Sequence, residues 1–178
     1  MNTDREVMRH FPAVLTGVQV SSSFTKLRNV IEERGWGVWA VEVEGEFVGM
    51  AGLWIPTFSA PFMPCTEALW RFRREFWGRS IAYAAAVQAL AYGFSELRLN
   101  EIVAYTAASN IRSIRLMERL NFNRDLGGDF EHPGVPEGNP LRHHFLYRKM
   151  PNQLPVPASS SVTPSAGAGR APSGAADH

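Results

Sequence analysis

The fold is decided by one stretch of sequence, residues 67–82, which reads EALWRFRREFWGRSIA. Its first six residues, Glu67–Phe72, are a short strand candidate, and residues 73–77 read as a loop. Gly78 permits an unusual backbone angle, and a helix is predicted to begin near Ser80. A strand, a glycine-containing turn and a helix in this order leave backbone N–H groups free at the helix N-terminus, where the helix dipole favours phosphate.

Arginines surround this turn. Arg73, Arg74 and Arg79 add positive charge beside the predicted helix N-terminus. The pattern therefore indicates an anion site, with an ordinary strand-to-helix turn and solvated arginines as an equal alternative. The stretch is not a dinucleotide-binding fingerprint, because the pattern Gly-x-Gly-x-x-Gly is absent.

The sequence on both sides of this stretch alternates between strand and helix patterns. A tight turn at residues 44–46 joins the first two predicted strands into an antiparallel pair. The order of elements predicts a mixed α/β layered sheet. The predicted strands cover residues 38–43, 47–55, 67–72, 101–106 and 145–150, and the predicted helices cover residues 24–33, 81–97 and 110–120.

Length and composition indicate one globular domain. The chain has 178 residues, of which 45% are hydrophobic, and a formal net charge of +1 that gives no reason to expect a nucleic acid as partner. The single cysteine, Cys65, rules out an intrachain disulfide framework. No apolar run is long enough to span a bilayer, and the first residues lack the apolar core of a signal peptide. We therefore expect a cytoplasmic protein without a membrane partner.

The composition changes after Met150. Residues 151–178 are dominated by Pro, Ser, Ala and Gly and offer too little apolar surface to offset the entropy of ordering. We therefore predict a folded domain over residues 1–150 and a disordered tail over residues 151–178.

Several segments follow the order of one known superfamily. GVWAV at residues 37–41, with FVGMAGL at residues 47–53, looks like its central hairpin, and Glu67–Phe72 is similar to the strand that opens to admit a cofactor. FWGRSIA at residues 76–82 resembles its pyrophosphate loop, and NIRSIRLMERLNF at residues 110–122 resembles its late helix. The chain thus resembles the GNAT acetyltransferases over roughly residues 3–150, closest to the branch of ribosomal-protein N-acetyltransferases.

The resemblance implies a mixed, mostly antiparallel central sheet with flanking helices, and acetyl-CoA held in a V-shaped gap between two parallel strands. Its pantetheine arm would lie along the first of these strands, and its pyrophosphate would lie on the amides of the loop. The implied cofactor-binding residues are Trp70, Arg71, Phe72, Trp77, Gly78, Arg79, Ser80, Ile81, Ala82 and Asn110.

Two residues are candidates for catalysis. The resemblance implies Glu67 as general base, and a structural acceptor for a neighbouring backbone or arginine is the alternative. Ser113 would orient the cofactor or donate to the departing sulfur, unless Asn110 only caps its helix and Ser113 only satisfies a helix position. Many superfamily members place a tyrosine acid where this chain has Met117, which has no proton to donate.

Three features depart from the family pattern. The second glycine of the loop is Ser80, and the helix begins Ala82-Tyr83-Ala84-Ala85 where the branch commonly has Ala-Thr-Glu-Ala. Relatives also carry about one more strand before Asp4, so we expect the sheet to lack the usual first strand and to leave an edge unpaired.

The expected function is N-acetyltransferase activity, which moves an acetyl group from acetyl-CoA to a primary amine of a peptide, protein or small molecule. The alternative is a degenerate module that binds acyl-CoA or a protein partner without catalysis. A hydrolase that uses the His-rich ending is a third and weaker hypothesis, because the spacing fits no standard zinc pattern and we expect no metal. The residues in question are Asp129, Glu131, His132, His143 and His144. A monomer and a homodimer are equally compatible with the sequence.

Overall fold

The computed structural model describes residues 1–153, which form one mixed α/β layer structure. Short 3-10 turns cover Arg74–Phe76 and Pro151–Gln153. The predicted fold class is confirmed. The helices are α1 (Gly17–Arg34), α2 (Ile81–Ser95) and α3 (Ile111–Arg119), and the strands are β1 (Val38–Val43), β2 (Glu46–Trp54), β3 (Glu67–Phe72), β4 (Ile102–Ala107), β5 (Asn123–Glu131) and β6 (His143–Lys149).

The six strands form one sheet in the order β1-β2-β3-β4-β6-β5. All neighbouring strands run antiparallel except β3 and β4, which are parallel. The parallel pair meets at a single register position, Glu67 opposite Val103. The sheet therefore consists of two antiparallel halves that are joined at one end and separate towards the other.

The β1–β2 hairpin closes with the turn that the sequence predicts. Glu44 and Gly45 both have positive φ, at 52° and 79°, as a two-residue turn that matches the twist of the strands requires. Among residues 1–153, no strand pairs with the outer side of β1, so this strand is an edge of the sheet.

The main core lies between the sheet and α2. Leu53 on β2, Leu90 on α2 and Ile102 on β4 are all fully buried. The alanines of α2 have short side chains, so this helix packs close to β2 and β3. Helix α2 therefore has a fixed position, and its N-terminus lies beside the opening between β3 and β4.

Helix α3 is anchored through its C-terminal half. Met117 and Leu120 are buried in the same core. The buried Lys149 of β6 donates from Nζ to the carbonyl oxygen of Leu120 at 2.6 Å, which satisfies one of the free acceptors at the helix end. The opposite end of α3 is thereby held against the gap.

Helix α1 is longer than the sequence predicts. Its C-terminus at Gly35, with φ of 77°, confirms the expected stop, but the helix begins at Gly17 rather than at residue 24. Thr16 and Gln19 form a reciprocal capping box at its start. No residue of α1 is buried, so the apolar periodicity that would have indicated the first two turns is weak.

Strand β5 is absent from the sequence-based prediction. Its segment is rich in Asp and Gly and does not alternate, and a register shift interrupts its pairing with β6 between Asp125 and Phe130. Pairing with β6, rather than intrinsic propensity, makes it a strand. Strand β6 itself begins two residues before the predicted start, at His143.

The described residues cover only part of the predicted division into a domain and a tail. Residues 1–150 carry the fold, and most of the predicted tail, residues 154–178, lies outside the described residues. In the part that the structure describes, no helix is both long and apolar enough to cross a membrane.

The close approach of β1 and β2 leads to a stability prediction for Gly52→Ala. A Cβ atom at Gly52 would lie 2.2 Å from the carbonyl oxygen of Gly37 and 2.6 Å from Cα of Val38. Because backbone must move to relieve both contacts, we expect urea denaturation to show a loss of about 1–3 kcal/mol in the free energy of unfolding.

The matched control is Gly17→Ala, because a Cβ there has nothing within 4 Å. This change should leave the free energy of unfolding within about 1 kcal/mol of the wild-type value. Equal effects of the two substitutions would contradict the described packing of β1 on β2.

Candidate active site

The gap between β3 and β4 is the centre of the site. The N–H of Val103 donates to the carbonyl oxygen of Thr66 at 2.9 Å, and beyond the pair Glu67–Val103 the two strands share no further register position. Strand β3 is bound by β2 on one side only. Beyond this pair, the peptide groups of β3 that point towards β4 are therefore available to a ligand in the gap, apart from the carbonyl oxygen of Phe72, which accepts from Nε1 of Trp77 at 3.0 Å.

A cavity of about 580 Å³ extends from this gap. It is bounded by β3, by the loop before α2, by the N-terminal end of α3 and by the segment near residues 6–11. Ten of the predicted site residues line it, namely Trp70, Arg71, Phe72, Trp77, Gly78, Ser80, Ile81, Ala82, Asn110 and Ser113.

The loop before α2 has the backbone shape of an anion site. Gly78 and Ser80 both have positive φ, at 77° and 59°. The first α-helical bond runs from the N–H of Ala84 to the carbonyl oxygen of Ser80 at 3.0 Å, so the N–H groups of the first turn have no partner within the helix. Ser80 is thus a serine in the left-handed conformation that favours glycine.

Positive charge faces this loop from α3. Arg112 and Arg115 line the cavity, and Cζ of Arg112 lies 4.2 Å from the ring centre of Trp77. Arg119 approaches the hydroxyl of Ser80, with Nη2 at 3.4 Å from Oγ. The helix N-terminus and three arginines therefore combine to attract a polyanion.

The N-terminal end of α3 is linked to both strands of the gap. Asn110 caps the helix, because its Oδ1 accepts from the N–H of Ser113 at 3.3 Å, and its Nδ2 donates to Oγ1 of Thr106 on β4 at 2.9 Å. The hydroxyl of Ser113 accepts from Nε1 of Trp70 on β3 at 3.3 Å. Since this oxygen acts as the acceptor, its own proton is free to be donated.

A carboxyl–phenol pair lies at the closed end of the gap. The hydroxyl of Tyr105 donates to Oε2 of Glu67 at 2.6 Å. Burial raises the pKa of Glu67 to about 7, against the opposing effect of the Tyr105 hydrogen bond. Glu67 therefore changes charge close to neutral pH, although it is not among the residues that line the cavity.

One known family domain matches more than half of the chain. Residues 1–123 match the model of the acetyltransferase (GNAT) domain. The chain belongs to the GNAT acetyltransferase domain family.

Individual relatives agree with this membership. The FsC-acetyl coenzyme A-N(2)-transacetylase of Aspergillus fumigatus is 33% identical over 115 residues, which are 58% of this chain and 48% of that protein. A GNAT acetyltransferase structure from Bacillus anthracis is 27% identical with a TM-score of 0.65, and the match covers 84% of each chain. This GNAT domain spans about half the length of the curated relatives it matches.

A more distant structure shares the fold of this GNAT domain. It is the spermidine N-acetyltransferase of Vibrio cholerae, solved in complex with CoA and spermine, and it is 16% identical with a TM-score of 0.64. The match covers 86% of this chain and 87% of that one.

Two predicted residues lie away from the cavity lining. Arg79 turns towards Phe76, with Cζ at 5.3 Å from the ring centre, and Glu67 is bound to Tyr105.

Met117, at the position where many GNAT enzymes carry a tyrosine, is only 1% exposed and belongs to the core. No side chain at that position of this structure reaches the cavity.

The sequence pattern did not indicate two parts of the site. The segment that includes Val7, His10 and Phe11 closes one side of the cavity, and Tyr105 contacts Glu67. Tyr105 lies on β4 next to Thr106, and the alternation of that strand is the signal that could have placed it beside β3.

His132, His143 and His144 do not line the cavity. His132 and His144 pack against Phe58, Tyr105 and Phe130, and burial lowers the pKa of His144 to about 4. Among residues 1–153, no group of three or more His, Cys, Asp and Glu side chains is placed to hold a metal ion.

Burial raises the pKa of the free Cys65 thiol to about 11, which disfavours the reactive thiolate.

The backbone of the loop leads to a prediction for Ser80→Gly. Glycine adopts the φ of 59° without the clash that a Cβ causes, so the free energy of unfolding should rise by up to about 1 kcal/mol. Ser22→Gly, within α1, is the control and should lower it by about 0.5 kcal/mol. A loss of stability in Ser80→Gly, measured by urea denaturation, would mean that the contact with Arg119 outweighs the backbone strain.

The raised pKa of Glu67 leads to a prediction for the pH dependence of stability. Because the pKa is about 7 in the folded chain and 4.5 as its ordinary value, the folded chain holds a proton that the unfolded chain releases. This contribution to stability is fully present below the unfolded pKa and is lost as pH rises through the folded pKa. Glu67→Gln keeps an oxygen acceptor for Tyr105 and removes the titration.

We therefore expect Glu67→Gln to gain stability relative to the wild type between about pH 5 and about pH 8. The gain should be about 2–3 kcal/mol, at about 1.4 kcal/mol per pKa unit. The control is Glu33→Gln, at an exposed carboxylate, which should track the wild type at every pH. A constant difference between Glu67→Gln and wild type would contradict the assignment.

Proposed function

We propose that this GNAT domain transfers an acetyl group from acetyl-CoA to a primary amine of a peptide, protein or small molecule by direct attack. The observation that carries the proposal is the gap between β3 and β4, which opens directly onto the N-terminus of α2. Strand edge and helix N-terminus together offer hydrogen bonds along a neutral arm and positive potential at one end. That division matches the two parts of coenzyme A.

The residues for coenzyme A follow from this division. Trp70, Arg71 and Phe72 on β3 would border the pantetheine arm, together with the cap residue Asn110. The loop would hold the pyrophosphate through Trp77, Gly78, Ser80, Ile81 and Ala82, with Arg79 nearby. Ser80 itself adopts the positive φ of the turn and lines the cavity beside Ile81 and Ala82, so serine at this position is compatible with the proposed binding.

Acetyl-CoA supplies an activated carbonyl for attack by an amine. Glu67 is the proposed base, because its pKa of about 7 suits proton removal near neutral pH. Since the side chain does not line the cavity, a water molecule must carry the proton to it. Ser113 is the proposed donor to the departing sulfur, because its oxygen accepts from Trp70 and leaves its proton available.

The proposed acceptor is a primary amine, on a peptide or protein or on a small molecule. The resemblance to ribosomal-protein N-acetyltransferases supports a peptide N-terminus, and the shared fold of the spermidine N-acetyltransferase supports a small amine. A panel that contains both kinds of amine is therefore the appropriate substrate set.

The proposal is tested by calorimetry with coenzyme A and by thiol release over the amine panel. Binding with turnover is the expected result. Binding without turnover would favour the degenerate module, for which Ser80 and Met117 are the supporting observations. The absence of coenzyme A binding would contradict both.

The base assignment leads to a kinetic prediction. The wild-type rate should rise with pH through about 7, because Glu67 must lose its proton to act. Glu67→Gln should lower kcat by about 100-fold or more, while the Kd for coenzyme A stays within about twofold. Equal losses in rate and affinity would make Glu67 structural.

Tyr105→Phe provides a matched second variant. Its hydroxyl donates to the carboxylate and so opposes the rise in the pKa of Glu67. Removal of this hydroxyl should therefore move the midpoint of the pH–rate profile to higher pH. An unchanged midpoint would separate Glu67 from the titration that limits the rate.

A further inference from the structure

Arg71 is an arginine without a counter-charge on the wall of the cavity. It lies on β3, and strand alternation places it on the same face of the sheet as Glu67 and on the opposite face from Trp70. The side chain is partly buried and lines the cavity. Arg71 therefore lies on the cavity wall, on the face of the sheet that also carries the proposed base Glu67.

The contacts of Arg71 leave most of its hydrogen-bonding capacity unused. Nη1 donates to Oδ1 of the buried Asn2 at 2.9 Å, and Cζ lies 4.0 Å from the ring centre of Phe11. Nε is shut off from solvent and has no hydrogen-bond partner. Asn2 thus occupies one side of the guanidinium, and the side formed by Nε and Nη2 has no partner within residues 1–153.

The other partly buried arginines within residues 1–153 are each paired with a carboxylate. Arg148 contacts Glu101 and Asp125, both at less than 3 Å, and Arg124 contacts Asp129. Within residues 1–153 no carboxylate lies within ion-pair distance of Arg71, and burial lowers its pKa to about 10. A cation that is withdrawn from water without an opposite charge destabilises a fold, so a bound anion would relieve this cost.

The cavity itself offers no anion for Arg71. Glu6 is the only acidic residue on the described lining, and it already contacts Arg9 at 2.9 Å and Arg112 at 3.8 Å. The phosphates of coenzyme A would be drawn to the loop before α2 and to the arginines of α3 that line the cavity beside it. The phosphates of coenzyme A would therefore not neutralise Arg71, which needs an anionic partner of its own.

We propose that Arg71 binds a carboxylate group carried by one of the two substrates. The inference rests on the proposed function and narrows its substrate class. A carboxylate matches the Nε–Nη2 side of a guanidinium through two parallel hydrogen bonds. Phe11, which is 37% exposed, packs against this guanidinium. Because Nε is shut off from solvent, a ligand reaches it only when the side chains around it rearrange.

The carboxylate can belong to the acceptor amine or to the acyl group. Strand geometry puts Cα of Arg71 about 13 Å from Cα of Glu67. An acceptor whose carboxylate binds Arg71 while its amine lies on the side of Glu67 would therefore carry the two groups several bonds apart, as in a dipeptide. A dicarboxylic acyl group, such as succinyl, would bring its carboxylate to Arg71 from the other substrate; the proposed acyl transfer to an amine would then stand, with succinyl in place of acetyl.

Calorimetry on the full chain distinguishes these sources. One arm compares alanyl-alanine with its C-terminal amide on protein saturated with coenzyme A, and the other compares succinyl-CoA with butyryl-CoA on the free protein. We expect the carboxylate member of one pair to bind at least about tenfold tighter, the effect of a charge-assisted, two-bond contact. Arg71→Met should abolish the preference, and Arg71→Lys should retain only part of it.

Controls separate binding from folding. Arg28→Met removes an exposed arginine from α1 and should leave the preference intact. Arg71→Met should lower the melting temperature by only a few degrees, because the removal of an unpaired cation offsets part of the cost of leaving Oδ1 of the buried Asn2 without its donor. If this variant does not fold, Arg71→Lys and the wild-type comparison still decide the question.

The opposing results are distinct. A carboxylate preference in neither pair, or one that persists in Arg71→Met, would overturn the inference and leave the proposed function standing. Failure of the wild-type chain to bind coenzyme A would overturn the proposed function and this inference together.

Discussion

Strands β3 and β4 touch at Glu67 and Val103 and then separate, and the other features of the site depend on that separation. If the two strands continued to pair, the sheet would be closed and no cavity would reach the N-terminus of α2. The separation is held from both sides, because β2 binds the full length of β3 and β6 binds the full length of β4. Each half of the sheet therefore keeps its own strand pairing without contact across the gap, and main-chain groups of β3 are left available to a ligand.

The charges around the gap are distributed between its two ends. Arginines of α3 and the start of α2 make one end positive, whereas the closed end holds Glu67 in a desolvated position with Tyr105 as its hydrogen-bond donor. A polyanion and a proton acceptor are thus kept apart by the length of β3. Such an arrangement suits a reaction that binds phosphate at one place and removes a proton at another.

Much of this could be predicted from local sequence signals. The strand Glu67–Phe72 contains the aromatic residues Trp70 and Phe72, and the helix start after Ser80 follows from a glycine-containing turn; both are local properties. The role of Tyr105 could not be predicted, because its contact with Glu67 spans 38 positions of the chain and depends on which strands are neighbours. Strand β5 was missed for a similar reason, since Asp and Gly carry little strand propensity and only β6 makes this segment extended. The unpaired state of Arg71 is likewise a tertiary property that a list of residues does not contain.

We propose that coenzyme A lies in the gap with its pyrophosphate at the start of α2. A crystal structure of the full chain soaked with coenzyme A is the decisive measurement. We expect pantetheine density along β3 between Trp70 and Phe72, and pyrophosphate oxygens within hydrogen-bond distance of the amides of Ile81 and Ala82. Coenzyme A bound elsewhere, or a gap between β3 and β4 that stays empty at saturating ligand, would contradict it.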